Sequence, residues 1–392
     1  MHIVYITPEF VTEIRGGGLA TYLSNISRIM SKHGHKVTVI TLSDQNGQLE
    51  WEQGVEIERV KKVSPRFLTP IAMLLQSFLL YKRLKQVNRR KCVDIVQYAS
   101  FNAVGFFKPK KIPCVCRISS DCISWRELKV FDYNVSSLRK CYFTDWIEYH
   151  SIETAKGIFG PSLATGKIIE KRIQKDVAVI ESPFLLKQEE YDYSLYNDVL
   201  KGKKYYLSHS SMSCLKGTHI IGNIIHNVCE KDKDIFFVFA GSDHGIFYQN
   251  GEKQSAQSYI LERAGEYKDR VFFLGAIERT LLYPVIENAF VCLMPSRVDN
   301  MPNTCIEAMA MGKIVIGTRR ASYEQMIEDG ESGYLIDIDS TEDLLKVLER
   351  INKLTDEERF EMGKKAIDIT RRFDPDKIYN QLISYYKKMA NH

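Results

Sequence analysis

Two carboxylates and a helix start in the last third of the chain have the spacing to hold a ligand that carries both phosphate and hydroxyls. Asp299 and Glu307 have seven residues between them. The run Val291 to Met294 is apolar and reads as a buried strand leading into a polar loop that carries Asp299. A helix is predicted to open near Asn303 and to stop at Gly312, with Glu307 inside its first turns. The amides at a helix start lack intrahelical partners and sit at the positive end of the dipole, so they favour an anion such as a diphosphate. A carboxylate beside them accepts hydrogen bonds from hydroxyls on the same ligand. Amides for phosphate and carboxylates for hydroxyls together suit a nucleotide sugar.

The stretch from Met294 to Gly312 resembles the E-x7-E motif of the retaining GT-B glycosyltransferases, family 4 in particular. Asp299 stands where that family has its first Glu, and Glu307 matches the second. Asn300-Met301-Pro302 replaces the Gly-Phe-Gly-like turn of the family. The likeness continues through Glu307-Ala-Met-Ala, Gly312, the strand Ile314 to Thr318, and Glu328-Asp-Gly-Glu-Ser-Gly-Tyr-Leu335. It implies that Glu307 binds the nucleotide ribose and Asp299 a hydroxyl of the transferred sugar. Asn300 and the stretch Met301, Pro302, Asn303 and Thr304 would cradle the diphosphate.

Lys216-Gly217 follows the strand Tyr205 to Leu207 and the loop Ser208 to Leu215. The family pattern here is G-R-L-x-x-x-K-G, whose Arg and Lys neutralise the donor diphosphate. Lys216 matches the Lys, whereas the Arg position falls on Ser211, or near His209 if a gap is allowed. A cation near the leaving diphosphate stabilises the charge that develops there. Arg15-Gly16-Gly17-Gly18 comes between the first strand and the first long helix. Glycines let amides approach a ligand closely, and the resemblance implies that Gly17 and Gly18 face the donor phosphate. A dinucleotide fingerprint is excluded, because Thr21 stands where its last glycine is needed. The strand Cys114 to Ile118 ends in Ser119-Ser120-Asp121, and Ser119 occupies the slot where relatives often carry a His. Ser119 and Asp121 are acceptor-side candidates, and a plain strand-terminal turn explains them equally well.

The elements that must position these residues are short apolar strands alternating with helical patterns over all 392 residues. This predicts an α/β protein of two Rossmann-like, doubly wound domains, which the resemblance places around a central cleft. The expected boundaries are an acceptor-side domain over 1–185, a crossing over 186–203 and a nucleotide-sugar-binding domain over 204–374. A last helix over 375–392 would pack back on the first domain. Three D-x-D triplets, Asp232-Lys-Asp234, Asp337-Ile-Asp339 and Asp374-Pro-Asp376, read as caps and turns rather than metal ligands. No metal and no cofactor are expected, the nucleotide sugar being a co-substrate.

The net charge of +5 is too mild to imply nucleic acid. Nine cysteines without a CxxC pair, and an N-terminus that enters a strand at once, predict free thiols in a reducing cytoplasm. The run 59–91 carries ten basic side chains and no acid, with Ile71, Leu74, Leu75, Phe78 and Leu79 at helical spacing. A core helix with a solvated basic face and a helix lying on the inner face of an anionic membrane both fit that pattern.

The resemblance implies transfer of a hexose, with retention, from a UDP- or GDP-linked sugar to the hydroxyl of a saccharide or lipid-linked saccharide. Assembly of a surface polysaccharide (O-antigen, capsule or exopolysaccharide) is the expected setting. A nucleotide-sugar 2-epimerase and a non-catalytic GT-B partner subunit are the alternatives.

Overall fold

The computed structural model describes residues 1–13, 17–63, 69–130, 142–184 and 190–391. Arg15 and Gly16 of the glycine loop, residues 64–68 of the basic run and residues 186–189 of the expected crossing lie outside the described residues. The chain forms two compact units. Met1–Ile123, Arg139–Leu185 and Phe373–His392 make the first, and Ser124–Leu138 with Leu186–Arg372 make the second. Residues 124–138 therefore group with the second unit, not with the first half of the chain as the expected boundary had it, and so does the expected crossing from residue 186 on.

The first unit is built on eight strands: β1 (His2–Thr7), β2 (Lys36–Ser43), β3 (Gly47–Trp51), β4 (Val55–Lys61), β5 (Ile95–Ala99), β6 (Cys114–Arg117), β7 (Gly157–Gly160) and β8 (Ala178–Val179). Their order is β3-β4-β2-β1-β5-β6-β7-β8, and all neighbours are parallel except the β3–β4 pair. In central β1, Ile3 pairs with Val37 on one side and Ile95 on the other, and every residue is buried. A parallel strand covered on both faces needs an unbroken apolar run, which Ile3 to Ile6 supplies. Parallel neighbours need crossovers, here α1 (Gly18–Lys32), α2 (Thr69–Arg90), α3 (Cys122–Leu128), α4 (Phe143–Glu153) and α5 (Leu163–Ile173). Tyr22, Leu23, Ile26 and Met30 form the buried stripe of α1.

The second unit contains β9 (Lys204–Ser208), β10 (Met212–Ser213), β11 (Ile235–Ala240), β12 (Asp243–Phe247), β13 (Lys253–Gln254), β14 (Val271–Gly275), β15 (Val291–Met294), β16 (Val315–Thr318) and β17 (Tyr334–Ile336). Six of these make an all-parallel sheet in the order β14-β11-β9-β15-β16-β17, while β10, β12 and β13 form a small sheet of their own. Its helices are α6 (Thr218–Lys231), α7 (Ala256–Ala264), α8 (Arg279–Glu287), α9 (Asn303–Ala310), α10 (Thr341–Asn352) and α11 (Asp356–Thr370). Ser340 caps α10 through the amide of Asp343 at 3.1 Å, and Thr355 with Glu358 makes a capping box on α11.

The last helix, α12 (Pro375–Asn391), belongs to the first unit. Ile378, Leu382, Ile383 and Tyr386 enter the core that holds Tyr5 and Phe159. Each buried side chain of this kind contributes roughly 1.5–3 kcal/mol before entropy is counted. The helix comes so close to β7 that a Cβ on Gly157 would lie 2.4 Å from the Tyr385 hydroxyl and 2.6 Å from the Met389 sulfur.

Several elements differ from the sequence reading. The β3–β4 hairpin at the sheet edge and the short strands β10, β12 and β13 have no counterpart in it. β3 alternates half-buried and exposed residues, and the other three are only two to five residues long, so tertiary pairing and not pattern defines them. In α2 the buried positions are Gln76, Ser77, Leu80, Leu84 and Val87, whereas Ile71, Leu75 and Phe78 are exposed. The expected apolar set is thus not the core face.

Candidate functional site

In a doubly wound sheet, ligands bind beyond the carboxyl ends of the strands where the strand order reverses. In the second unit that point lies between β9 and β15, paired through Tyr206 with Val291 and Leu207 with Cys292. The loop after β9 leads to Lys216, and the loop after β15 leads to Asp299 and α9. The topology therefore delivers Lys216, Asp299 and Glu307 to one end of one sheet.

Lys216 closes a short 3-10 turn, Cys214–Lys216, and Gly217 caps it in the left-handed region at φ 68°. A Cβ on Gly217 would come within 1.8 Å of the carbonyl oxygen of Pro295. The backbones of the two loops touch at a residue with no side chain, and the amide of Arg297 donates to Leu215 O at 2.9 Å. This contact brings the Lys216 ammonium onto Oδ2 of Asp299, the two forming an ion pair. Oδ1 of Asp299 accepts the amide of Asn300 at 3.0 Å, and its carbonyl accepts the Ser322 hydroxyl at 2.9 Å. The loop is fixed further by Ser296, whose hydroxyl lies 3.0 Å from that of the buried Tyr323.

Pro302 is the N-cap residue of α9, and its own side chain makes no capping hydrogen bond. Cys305 N already bonds Pro302 O at 3.1 Å. Proline has no N–H, so the expected cradle from Met301 to Thr304 is corrected: three of its four residues can donate an amide, and Pro302 only shapes the turn. Glu307 is buried, with its Oε1 3.5 Å from Nε of Arg279 at the start of α8. Burial raises its carboxyl above the ordinary range, and the guanidinium of Arg279 opposes that rise. An acid so placed, able to accept two hydroxyl hydrogens when ionised, has only one charged group set against it.

The cation missing at Ser211 is not replaced by His209. Nε2 of His209 lies 3.0 Å from Thr304 O, a carbonyl that can only accept, so Nε2 carries the proton. Its Nδ1 is buried with no hydrogen-bond partner among the described residues. Burial lowers its pKa to about 4, the Thr304 bond acting the other way, so the ring is neutral at pH 7. The ring ties β9 to the first turn of α9. Ser211 is packed near Gly241, where a Cβ would lie 2.0 Å from Ser210 O and 3.1 Å from the amide of Ser211.

Arg297 is buried and spans three elements. Its Nε donates to Asp339 at 2.8 Å, and its Nη1 donates to Leu128 O at 3.3 Å and Val130 O at 2.7 Å. His219 lies 3.1 Å from the same Asp339 oxygen. Burial works to raise the Asp339 carboxyl, but the bonds from His219 and Arg297 outweigh it and hold its pKa at about 2. Asp339 lies in the turn between Asp337 and Ser340 at φ 59°, as its triplet reads, and its carboxylate also holds Arg297 and His219. Asp232 and Asp374 do accept nearby amides, from Asp234 and from Asp376 and Lys377. Sequence reasoning missed Arg279, Arg297, His219 and Tyr323. Arg297 lies two residues before Asp299, which was a usable signal, whereas the others come from distant segments.

In the first unit, Gly17 caps α1 at φ 111°, and Gly18 begins the helix with open space where a Cβ would go. Ser119 donates its amide to Ser100 Oγ at 2.9 Å. Asp121 is buried and engaged: Tyr149 donates to Oδ1 at 2.5 Å, and Arg172 reaches the two oxygens at 3.2 and 3.3 Å. The four acceptor- and glycine-loop candidates of the first unit thus include one carboxylate, which Tyr149 and Arg172 already engage. Among the described residues, no cluster of three or more His, Cys, Asp and Glu is placed to hold a metal ion.

Two Rossmann-like units with these sheet orders define a GT-B fold. A sucrose-phosphate synthase from Thermosynechococcus elongatus superposes with a TM-score of 0.79 over 99% of both chains, at 13% identity. The family described as Glycosyltransferase Family 4 matches residues 16–183, and the one described as Glycosyl transferases group 1 matches residues 197–369. The chain belongs to the family 4 GT-B glycosyltransferases. Among curated relatives, spore coat protein SA of Bacillus subtilis is 28% identical over 48% of this chain and 50% of its own length. A lipopolysaccharide 1,2-N-acetylglucosaminetransferase of Salmonella typhimurium is 27% identical over 30% of this chain and 31% of its own. The chain spans half or less of the length of the curated relatives it matches.

Proposed function

We propose that this protein moves a hexose from a UDP- or GDP-linked sugar to an acceptor hydroxyl, with retention of configuration and without a metal. The observation that carries the reading is the convergence of Lys216, Asp299, Glu307 and the uncapped start of α9 at the switch point of one sheet. Glu307, as the anion, accepts the ribose hydroxyls. The donor diphosphate sits against the amides of Asn303 and Thr304 and draws the Lys216 ammonium from Asp299. The freed Asp299 carboxylate accepts a hydroxyl of the sugar. The bond from the anomeric carbon to the diphosphate then breaks as the acceptor oxygen bonds to that carbon. The acceptor proton passes to the departing phosphate oxygen. Fixed amides and one ammonium facing the growing negative charge are the main source of rate.

The acceptor is a saccharide or lipid-linked saccharide in surface polysaccharide assembly, reached from the cytoplasmic face of the membrane. The partial likeness to a lipopolysaccharide N-acetylglucosaminetransferase supports that setting. Thermal unfolding with UDP, GDP, ADP and their sugars tests the donor site, because a ligand that binds only the native state raises the melting temperature. One nucleotide family is expected to stabilise the protein, and Lys216→Ala and Glu307→Ala to abolish the shift. No shift from any nucleotide favours a non-catalytic partner subunit, in line with the uncharged Ser211 and the neutral His209.

A further inference from the structure

We infer that the first unit lies on an anionic phospholipid bilayer through one face formed by α2, the turn at Phe106 and Phe107, and the first turn of α4. The inference rests on the membrane setting proposed above and names the surface that makes the contact. Ile71, Leu75, Phe78, Lys82, Lys85 and Arg89 are all exposed and follow one another at steps of four, three, four, three and four along α2. They are one stripe, apolar for its first two turns and basic afterwards. The core face of the helix is a different set, led by Leu80, Leu84 and Val87. A surface helix of a globular protein normally carries polar residues on the side away from its core.

The apolar part of the stripe continues off the helix as a chain of rings. Phe78 meets Phe107 at 5.7 Å, Phe107 meets Phe106 at 5.2 Å, Phe106 meets Trp146 at 6.4 Å, and Trp146 stacks on Phe143 at 5.5 Å. Phe107, Trp146 and Phe143 are 38%, 52% and 60% exposed. A connected apolar surface of this kind marks an interaction site. The acids nearest it in α4 are turned inward: Asp145 and Glu148 are buried and accept the amides of Tyr142 and Asn102.

The charge around the rings selects the partner. Lys82 lies 4.9 Å over Phe78, Lys85 lies 4.5 Å over Tyr81, and Lys110 and Lys111 are exposed just past Phe107. Between Glu58 and Asp121 the sequence has a single acid, Asp94. Arg83 and Arg90 are paired with Glu58 and do not count towards the surface. A bilayer offers apolar depth to the rings and anionic headgroups to the lysines. A second copy of the chain would bring lysines against lysines. No helix among the described residues is long and apolar enough to cross a membrane, so the contact lies in the interfacial plane.

The test is flotation of the full chain with vesicles of phosphatidylcholine alone or mixed with phosphatidylglycerol. Phe143→Ser/Trp146→Ser and Lys82→Glu/Lys85→Glu are run alongside, and nucleotide-induced thermal stabilisation of each protein reports folding and the donor site. Binding is expected to the mixed vesicles only, and each double variant is expected to lose at least about tenfold in binding. The inference is overturned if the protein ignores anionic vesicles, if both variants bind as well as the parent, or if they change its oligomeric mass in lipid-free buffer. Vesicle failure with intact nucleotide stabilisation sinks the surface and leaves the transferase reading standing. Intact vesicle binding without nucleotide stabilisation does the reverse.

Discussion

The carboxyl ends of the two sheets carry charge in opposite ways. In the second unit, Asp299 and Glu307 each face one cation among the described residues, Lys216 or Arg279. In the first unit, the carboxylate of Asp121 is held by a guanidinium and a phenol. Two acids that look alike in sequence, each just after a strand, thus have different work. Asp121 is tied to two side chains from separate helices, whereas Asp299 shares its oxygens between the Lys216 ammonium and the neighbouring amide of Asn300. The comparison favours the proposed donor chemistry at β9 and β15.

Substitutions sharpen or break that contrast. Glu307→Ala is expected to have the largest effect, lowering kcat/KM for transfer by up to about a thousandfold, or ~4 kcal/mol. A loss below tenfold would remove Glu307 from the donor site. Next in size is His209. Its folded pKa of about 4 lies below the ordinary 6.5, so the unfolded chain binds more protons between these values. Its stabilising contribution is whole above about pH 6.5 and is lost as pH falls towards about 4, roughly 3 kcal/mol in all. Urea midpoints across that window should flatten in His209→Gln, which keeps a donor for Thr304 O. An unchanged slope would mean that the ring is not neutral in the folded protein.

Asp121→Ala should cost about 2 kcal/mol of stability, because it strands Arg172 and Tyr149, with Arg172 partly solvated. Nucleotide affinity should be unaltered, and a fall in it without unfolding would erase the contrast between the two ends. The smallest effect is expected for Arg279→Gln. Glu307 has a raised pKa, so its protonated form favours the folded state, and its stability contribution falls as pH rises through that value. Nucleotide binding has the opposite sign, since the ribose needs the anion. Without Arg279 the carboxyl rises further, and affinity measured by calorimetry should drop about tenfold at the acid end of the pH range and recover as pH rises. A uniform loss at all pH values would give Arg279 a packing role instead.

The main sheets were largely legible in the chain. The apolar runs Cys114 to Ile118, Tyr205 to Leu207, Val291 to Met294 and Ile314 to Thr318 correspond to β6, β9, β15 and β16. Lys216, Asp299 and the start of α9 were legible because each follows a strand and the loops between are short. What was not legible depends on groups brought from elsewhere. Arg279 reaches Glu307 from the start of α8, and Tyr149 and Arg172 reach Asp121 from α4 and α5. Nothing local distinguishes a carboxylate with two such partners from one with none.

The apolar period and the turn residues, read along the chain, mark most strands of the two main sheets and their largely parallel pairing. They also place the two acids and one lysine after strands, because hydrophobic spacing and turn chemistry act over a few residues. Tertiary structure decided the rest: the proton on His209, the pairing of Lys216 with Asp299, the loss of Asp121 to the fold, and the outward face of α2. Desolvation and charge pairing depend on distances between segments far apart in the chain, and only the packed fold sets those distances.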